Sequence, residues 1–394
     1  MKPLTVMIVA AEASGDVMGG ALARALKARL GDNVRFVGVG GAKMAEQGIV
    51  SPFDIAELSV LGWIEGIKAY GKVKRRVSDT VALASREQPD VAVLVDSWGF
   101  TMRVAKGLRA ALPGITVIKY VAPQVWASRP GRAKTLAAGV DHLLAIHAFD
   151  APWFEKEGLA TTFVGNSALS IDLSKASGPR FRKAIGAKAD EDVLLVLPGS
   201  RPSEIKRMAP VFEEAVAILK KDRPELPVAV VVADTVAEQV KGVVAGWPFR
   251  THLIEGEGPK RDAMKGSTVA LACSGTVTTE LALAGCPMVV SYKVDPLTYE
   301  LAIRVVTTKL YTLFNIAAGE AIAPEIIQKE ATGPNLAKAV AERLDDPELR
   351  RVQVEKQFAA LDKMGRGMPD PAETAADAVL RVLREKRSIH EAKT

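Results

Sequence analysis

Short valine-rich runs recur along this chain, and each leads through a turn into a helical pattern. Eleven stand out: VMIVAA, VRFVGVG, VAVLVD, TVIKYV, HLLAIH, TTFVG, VLLVLPG, PVAVVVA, THLIEG, VALACSG and PMVVSY. They lack the strict apolar–polar alternation of a strand with one wet face, which is how strands buried on both faces read. Helical stretches such as GGALARALKARL and MAPVFEEAVAILKK separate them. Strand and helix alternating in this way predict doubly wound parallel sheets, an α/β class. Eleven strands are too many for one ordinary sheet, whereas two sheets of about five or six are routine. With 394 residues, 48% of them apolar, the chain can fill two cores.

A break falls in NSALSIDLSKASGPRFRKAIG, residues 166–186, which holds serines, a Gly-Pro and few strand formers before a fresh β–α series begins at Val193. The expected division is residues 1–170 and 171–340 as two Rossmann-like domains facing a cleft. Charged helices over 341–394 follow, packing back on the first domain or onto a partner subunit. Ligands in such sheets sit beyond the carboxyl ends of the strands, so residues at those ends are the candidates for chemistry.

Composition removes several classes of function. A formal charge of +6 over 394 residues falls short of a nucleic-acid footprint, though it suits an acidic ligand or membrane surface. Two cysteines, Cys273 and Cys286, give no disulfide framework and fit a reducing compartment. The four histidines do not pair with cysteines at zinc spacing, so no metal site is expected. The opening MKPLTVMIVAAEASGD reads as a first strand and not as a signal peptide, and no apolar run is long enough to span a bilayer. A soluble or peripheral protein is expected.

LLVLPGSRPSEIKRM, residues 194–208, leaves a strand through Gly199, which permits a sharp turn and close approach to a ligand. Pro202 suits a first helical position, so the amides near Ser200 and Arg201 are expected to point outward as unpaired donors. Arg201 adds a fork matched to phosphate oxygens. A plain turn with a solvated arginine fits the same residues. In ACSGTVTTELALAGCPMVV, residues 272–290, Ser274, Gly275 and Thr276 again follow a strand, with Thr278 and Thr279 in the next helix. Glu280 is placed to accept two ribose hydroxyls, or simply to favour the helix dipole. Two such turns in one half of the chain point together to a nucleotide-diphosphate site.

In the first half, AAEASGDVMGG ends the first strand with Glu12, Ser14, Gly15 and Asp16, but its glycines do not make G-x-G-x-x-G, so neither NAD nor FAD is expected. VAVLVDSWGF sets Asp96 at a strand tip beside Trp98, as a general base or a helix cap. YVAPQVWASRPGRAKTL joins Gln124 and Trp126 to Arg129, Arg132 and Lys134, a basic–aromatic patch too small for nucleic acid. LSVLGWIEGIKAYGKVKRR, residues 58–76, spaces Leu61, Ile64 and Ile67 on a helix, adds Trp63, and ends in Lys72, Lys74, Arg75 and Arg76. Either an interfacial membrane patch or an amphipathic core helix has this pattern.

Taken together, AAEASGD, ELSVLGWIEGI, YVAPQVWA, LPGSRPSEI, SGTVTTELAL and FNIAAGEAIAPEIIQ resemble, in order and over nearly the whole chain, the lipid-A-disaccharide synthases. These are inverting glycosyltransferases of the two-domain GT-B fold. The resemblance implies transfer of 2,3-diacylglucosamine from its UDP conjugate to 2,3-diacylglucosamine 1-phosphate, giving a β(1→6) disaccharide and UDP. It implies no metal or cofactor, a place on the cytoplasmic face of the inner membrane of Gram-negative bacteria, and a possible homodimer.

By the same resemblance Asp96 is the general base, with Glu12 and Asp16 as alternatives, and Arg201 with the Ser200 amides steadies the leaving diphosphate. Glu280 holds the ribose and Asn315 contacts the donor. Ser14, Gly15, Gln124, Trp126, Gly199, Ser274, Gly275, Thr276 and Thr279 complete the substrate contacts. Three places depart from the family pattern. Asp96-Ser97-Trp98-Gly99-Phe100 keeps only the first acid of Asp-x-Pro-Asp/Glu-Phe; Gly165-Asn166-Ser167 replaces Gly-His-Pro; Trp126-Ala127-Ser128 replaces Trp-Ala-Trp. They leave open the acyl-chain or sugar preference. A UDP-sugar epimerase and a non-catalytic nucleotide- or lipid-binding paralogue stand as alternatives.

Overall fold

The computed structural model describes residues 3–58, 63–296, 299–300, 303–304 and 306–391, with the backbone alone for residues 63–70, 387 and 389–391. The chain forms two compact units, one of residues 1–166 with 368–394 and one of residues 167–367.

Unit 1 is built on a parallel sheet of β1 (Leu4–Ala10), β2 (Val34–Val39), β3 (Val91–Val95), β4 (Thr116–Tyr120), β5 (His142–Ala145) and β6 (Thr161–Phe163). Their order, β2-β1-β3-β4-β5-β6, reverses direction between β1 and β3. Around them lie α1 (Ala13–Leu30), α2 (Ala42–Ala45), α3 (Trp63–Glu87), α4 (Trp98–Ala111), α5 (Arg132–Gly139) and α6 (Ala151–Glu155). Successive residues of β1 feed opposite cores: Met7 and Val9 enter one, and Val6, Ile8 and Ala10 the other. That two-sided burial is the reason the run shows no alternation. The chain's last helix, α15 (Pro371–Glu391), closes the second of these cores through Ala375, Ala376 and Val379. Arg29 of α1 ties it down, donating to Asp377 Oδ1 at 2.6 Å and pairing with the Glu373 carboxylate.

Unit 2 repeats the plan with β7 (Leu194–Leu197), β8 (Val228–Val232), β9 (His252–Glu255), β10 (Val269–Cys273), β11 (Met288–Tyr292) and β12 (Glu325–Ile327). The order β12-β11-β10-β7-β8-β9 is that of a dinucleotide-type sheet, with its switch point between β7 and β10. Its helices are α7 (Gly178–Ile185), α8 (Pro202–Asp222), α9 (Ala237–Ala245), α10 (Glu257–Gly266), α11 (Thr276–Leu283), α12 (Leu313–Ala318), α13 (Gly333–Asp345) and α14 (Pro347–Lys363). β12 is absent from the eleven apolar runs because it is three half-buried residues at a sheet edge, one of them Glu325.

Residues 341–367, expected among the returning helices, stay with unit 2. Two buried glutamines of α14 hold them there: Gln353 donates to the Met288 carbonyl at 2.8 Å and Gln357 to that of Cys286 at 3.1 Å. Arg343 of α13 orients the first by donating to its Oε1 at 2.7 Å. Among the described residues, no helix is long and apolar enough to cross a membrane.

Candidate active site

At the β7/β10 switch point of unit 2 lies a cavity of about 440 Å³, within the range of small-molecule sites. It gathers Gly199, Ser200, Arg201, Ser274, Gly275, Thr276 and Glu280 from the two motifs. Gly199 has φ +123°, and a Cβ there would stand 2.7 Å from Glu204 Cβ. The glycine therefore lets Glu204, in the first turn of α8, fold back beneath the turn. Its buried carboxylate accepts the amides of Ser200 at 2.9 Å and Arg201 at 3.2 Å. These are the donors expected to be unpaired. A carboxylate three places into a helix reaches back to the cap amide, and this one satisfies both. What the turn offers outward is the Arg201 guanidinium, 74% exposed and 3.3 Å from Glu204 Oε1.

Across the cavity the first turn of α11 follows Ser274 and Gly275, and its leading amides have no intrahelical acceptor. An anion there meets backbone donors and the positive end of the helix. Glu280 pairs with Lys260 Nζ at 2.9 Å, and Lys260 also meets Glu257 at 2.8 Å. Burial works against the Lys260 ammonium, but hydrogen bonds to Glu257 and Glu280 outweigh it and hold its pKa above the usual lysine value. Lys260 escaped the sequence reading because it sits in EGPKRD, which carries no motif; only the fold sets α10 against α11's glutamate.

Two expected contacts lie elsewhere. Thr279 is 1% exposed and outside the cavity lining. Asn315 is wholly buried: its Nδ2 donates to Ala323 O at 2.9 Å, while its Oδ1 accepts the amides of Ile322 and Ala323 at 2.9 and 3.2 Å. It fixes a loop; its carbonyl oxygen is already committed to two backbone amides.

In unit 1 the candidates stand at neighbouring strand ends. Asp96 and Ser97, between β3 and α4, have φ of +46° and +40°, a left-handed pair that non-glycine residues adopt at a cost. Two side chains hold it. Thr101 Oγ1 donates to the Asp96 carbonyl at 2.7 Å. Lys119, buried on β4, donates to the same carbonyl and to that of Leu94 at 3.3 Å. Burial pushes the Lys119 ammonium down to about 7, against the opposing pull of the Asp96 charge. A lysine inside TVIKYV was the available signal for this support.

Glu12 and Ser14 are exposed at the start of α1. Gly15 is buried, its Cβ position 3.2 Å from Ala10, so it serves close helix–sheet packing. Asp16 is structural too: its carboxylate accepts the amides of Gly41, Lys43 and Met44 at 2.7, 2.9 and 3.0 Å. That leaves Glu12 as the alternative base to Asp96.

Gln124 is exposed. Trp126 Nε1 donates to Asp150 Oδ1 at 2.9 Å, and the Trp126 ring meets Phe149 edge-on at 5.3 Å. Phe149 stacks on His147 at 4.9 Å. Burial raises the Asp150 carboxyl to about 7 despite hydrogen bonds from Trp126 and the His147 backbone, and lowers His147 to about 4. Arg132 lies 5.0 Å over the Trp98 ring.

Of the 61–76 segment, Leu61 lies outside the described residues, as do the side chains of Trp63, Ile64 and Ile67. Lys72, Lys74 and Arg75 are exposed. Arg76 is engaged in the fold, pairing with Glu57 at 2.8 Å and Asp79 at 2.9 Å and lying 4.9 Å over the Phe53 ring. Among the described residues no group of three or more His, Cys, Asp or Glu is placed to hold a metal ion.

Comparison with known proteins covers both units. The sequence profile of the family described as Lipid-A-disaccharide synthetase matches residues 6–379. A relative from Paramagnetospirillum magneticum, named lipid-A-disaccharide synthase, is 40% identical over 384 residues, 97% of this chain and 98% of its own length. Among solved structures, Acinetobacter baumannii MurG covers 96% of this chain and 100% of its own at a TM-score of 0.57 and 17% identity. A Staphylococcus aureus MnaA–UDP structure covers 92% of this chain and 94% of its own at a TM-score of 0.56 and 16% identity. Both establish a shared GT-B architecture.

Proposed function

The chain belongs to the lipid-A-disaccharide synthetase family, and from that premise we propose how its residues carry out the transfer. It works as a lipid-A-disaccharide synthase, a hexosyltransferase joining a UDP-sugar donor to a lipid acceptor; an epimerase or a non-catalytic paralogue is not favoured. The donor is UDP-2,3-diacylglucosamine and the acceptor 2,3-diacylglucosamine 1-phosphate. The observation that carries the assignment of the nucleotide is the unit 2 cavity, where Arg201, the α11 amides and the Glu280–Lys260 pair line one concave surface.

UDP occupies that cavity. Its diphosphate lies against Arg201 and the start of α11, and Glu280 accepts from the ribose hydroxyls. Arg201 meets the diphosphate as a fork and does so by leaving Glu204, an exchange of one anion for another.

Asp96 receives the proton of the acceptor 6-hydroxyl as that oxygen bonds to the anomeric carbon. The bond from that carbon to the diphosphate oxygen breaks, and UDP departs with the electron pair. One displacement inverts the anomeric centre. The charge growing on the leaving oxygen is met by donors already in place, which is where a site of this kind gains most of its rate. Lys119 and Thr101 serve the step by holding the Asp96 corner.

The 61–76 segment docks the protein on the cytoplasmic face of the inner membrane, with Lys72, Lys74 and Arg75 toward anionic headgroups. Purified protein mixed with both lipid substrates on phosphatidylglycerol vesicles is expected to release UDP and form the β-linked disaccharide. Binding without UDP release would sink the catalytic reading. Lys72→Glu with Lys74→Glu and Arg75→Glu is expected to lower vesicle retention, and unchanged retention removes the docking role.

A further inference from the structure

Unit 2 carries a second cavity, of about 480 Å³, that continues from the first through Ser274, a residue lining both. Tyr292 links the two more closely: it lines the second cavity, and its hydroxyl donates to Glu204 Oε1 at 3.4 Å in the first. Beyond these the walls are Val294, Tyr299, Ile303, Val306, Tyr311 and Ile327.

Several polar groups along this groove have partners in the local chain, while Lys309 lines it as an exposed cation. The Glu325 carboxylate accepts the amides of Tyr311 and Thr312 at 3.0 and 2.6 Å and the Thr312 hydroxyl at 2.7 Å. Gln328 Oε1 accepts the Val294 amide at 2.7 Å, and Thr308 closes a turn with Leu310. Apart from Lys309, an occupant therefore meets mainly hydrocarbon and tyrosine. Ile303 and Tyr311 are 47% and 42% exposed, large apolar side chains left facing water beside a charged pocket. Apolar surface so placed, continuous with a nucleotide site, suits a hydrophobic group tethered to the nucleotide.

We propose that this groove holds an acyl chain of the UDP-linked donor, an assignment that rests on the reading of the neighbouring cavity as the UDP site. The groove then measures the donor's chain, and its end sets a length preference. Each methylene withdrawn from water changes affinity by roughly fourfold (~0.8 kcal/mol). A chain two carbons shorter thus binds roughly fifteenfold more weakly while the groove has room to fill.

The test uses the full-length protein and measures dissociation constants for UDP, UDP-glucosamine and UDP-2,3-diacylglucosamine with ten- and fourteen-carbon chains, in detergent below its micelle concentration. Wild type is expected to prefer the longer donor by tenfold or more. Ile303→Asp, at an exposed position that tolerates a polar group, is expected to weaken the diacylated donor at least tenfold and flatten the length preference. Its affinity for UDP and UDP-glucosamine should stay as it was. Tyr311→Ser, a milder change at a second exposed lining position, should act in the same direction and guards against a folding defect in the first variant. If both variants keep wild-type affinity and length preference, the groove is not the acyl site. If no nucleotide binds to wild type at all, it is the UDP reading that fails, a distinct result.

Discussion

At the β1/β3 switch point of unit 1, the carboxylate of Asp96 stands on a backbone held left-handed at two successive residues over a buried ammonium. In the turn that follows β7 in unit 2, the unusual φ falls on Gly199, and the guanidinium of Arg201 stands mostly in solvent. The first arrangement fixes one group by burying its support. The second holds its cation in solvent against Glu204, where it is proposed to exchange that carboxylate for a ligand's anion. The difference follows the work proposed for each end: a base must be held at one geometry, whereas a diphosphate site must release what it binds. Strain belongs where position matters, and exposure where exchange matters.

Replacing each key residue tests this contrast. Asp96→Asn keeps a residue that tolerates the left-handed corner while removing the base, so the fold should survive and kcat should fall by about 10²–10⁴. Near-normal steady-state turnover would end the role of Asp96. Arg201→Ala should lower kcat by roughly 10²–10³, the usual cost of one lost donor to developing charge. Because Arg201 is exposed, its thermal unfolding should match wild type. A large loss of stability with little loss of rate would reverse the contrast, making the unit 2 turn structural.

The smallest expected effect concerns the buried pair beside Trp126. Burial raises Asp150 to about 7, above its unfolded value of about 3.9, so the unfolded chain holds fewer protons and stability falls as pH climbs between those values. His147, lowered to about 4 from about 6.5, gives the opposite slope over about pH 4–6.5. In wild type the two offset each other. Asp150→Asn keeps an acceptor for Trp126 and leaves only the histidine, so its melting temperature should rise from pH 4.5 to 6.5 relative to wild type. Parallel profiles for the two proteins would show that Asp150 does not titrate in this window.

Much of the fold was legible in the residues, because burial on both faces writes apolar runs, valine in all but β5, into the central strands, with a turn signal after each. The two unit 2 turns were legible for the same reason: Gly199, Pro202 and Ser274-Gly275 mark backbone that must turn at a strand end. β12 was not, since a short edge strand needs little hydrophobicity. The site's supports were harder to read because their partners are remote in sequence. Lys119 is 25 residues from the Leu94 carbonyl, and Asp16 is 25 from the Gly41 amide it accepts. Asp16 looked like a ligand contact because it follows a strand end, and Asn315 because the family resemblance put a donor contact there. Only their bonding partners separate that role from a structural one. Glu204 shows the converse: a residue four places from Ser200, readable as a capping partner, closes the very amides the turn seemed to offer.

The return of α15 to unit 1 has a consequence for the order in which the protein is made. Unit 2 is one uninterrupted length of chain, residues 167–367, whereas unit 1 is finished only by residues 368–394. Leaving the ribosome, the second half can close on itself while the first still shows the apolar surface that Ala375, Ala376 and Val379 will cover. The older half of the molecule waits for its youngest helix, and through that interval its exposed core is the natural target for a chaperone.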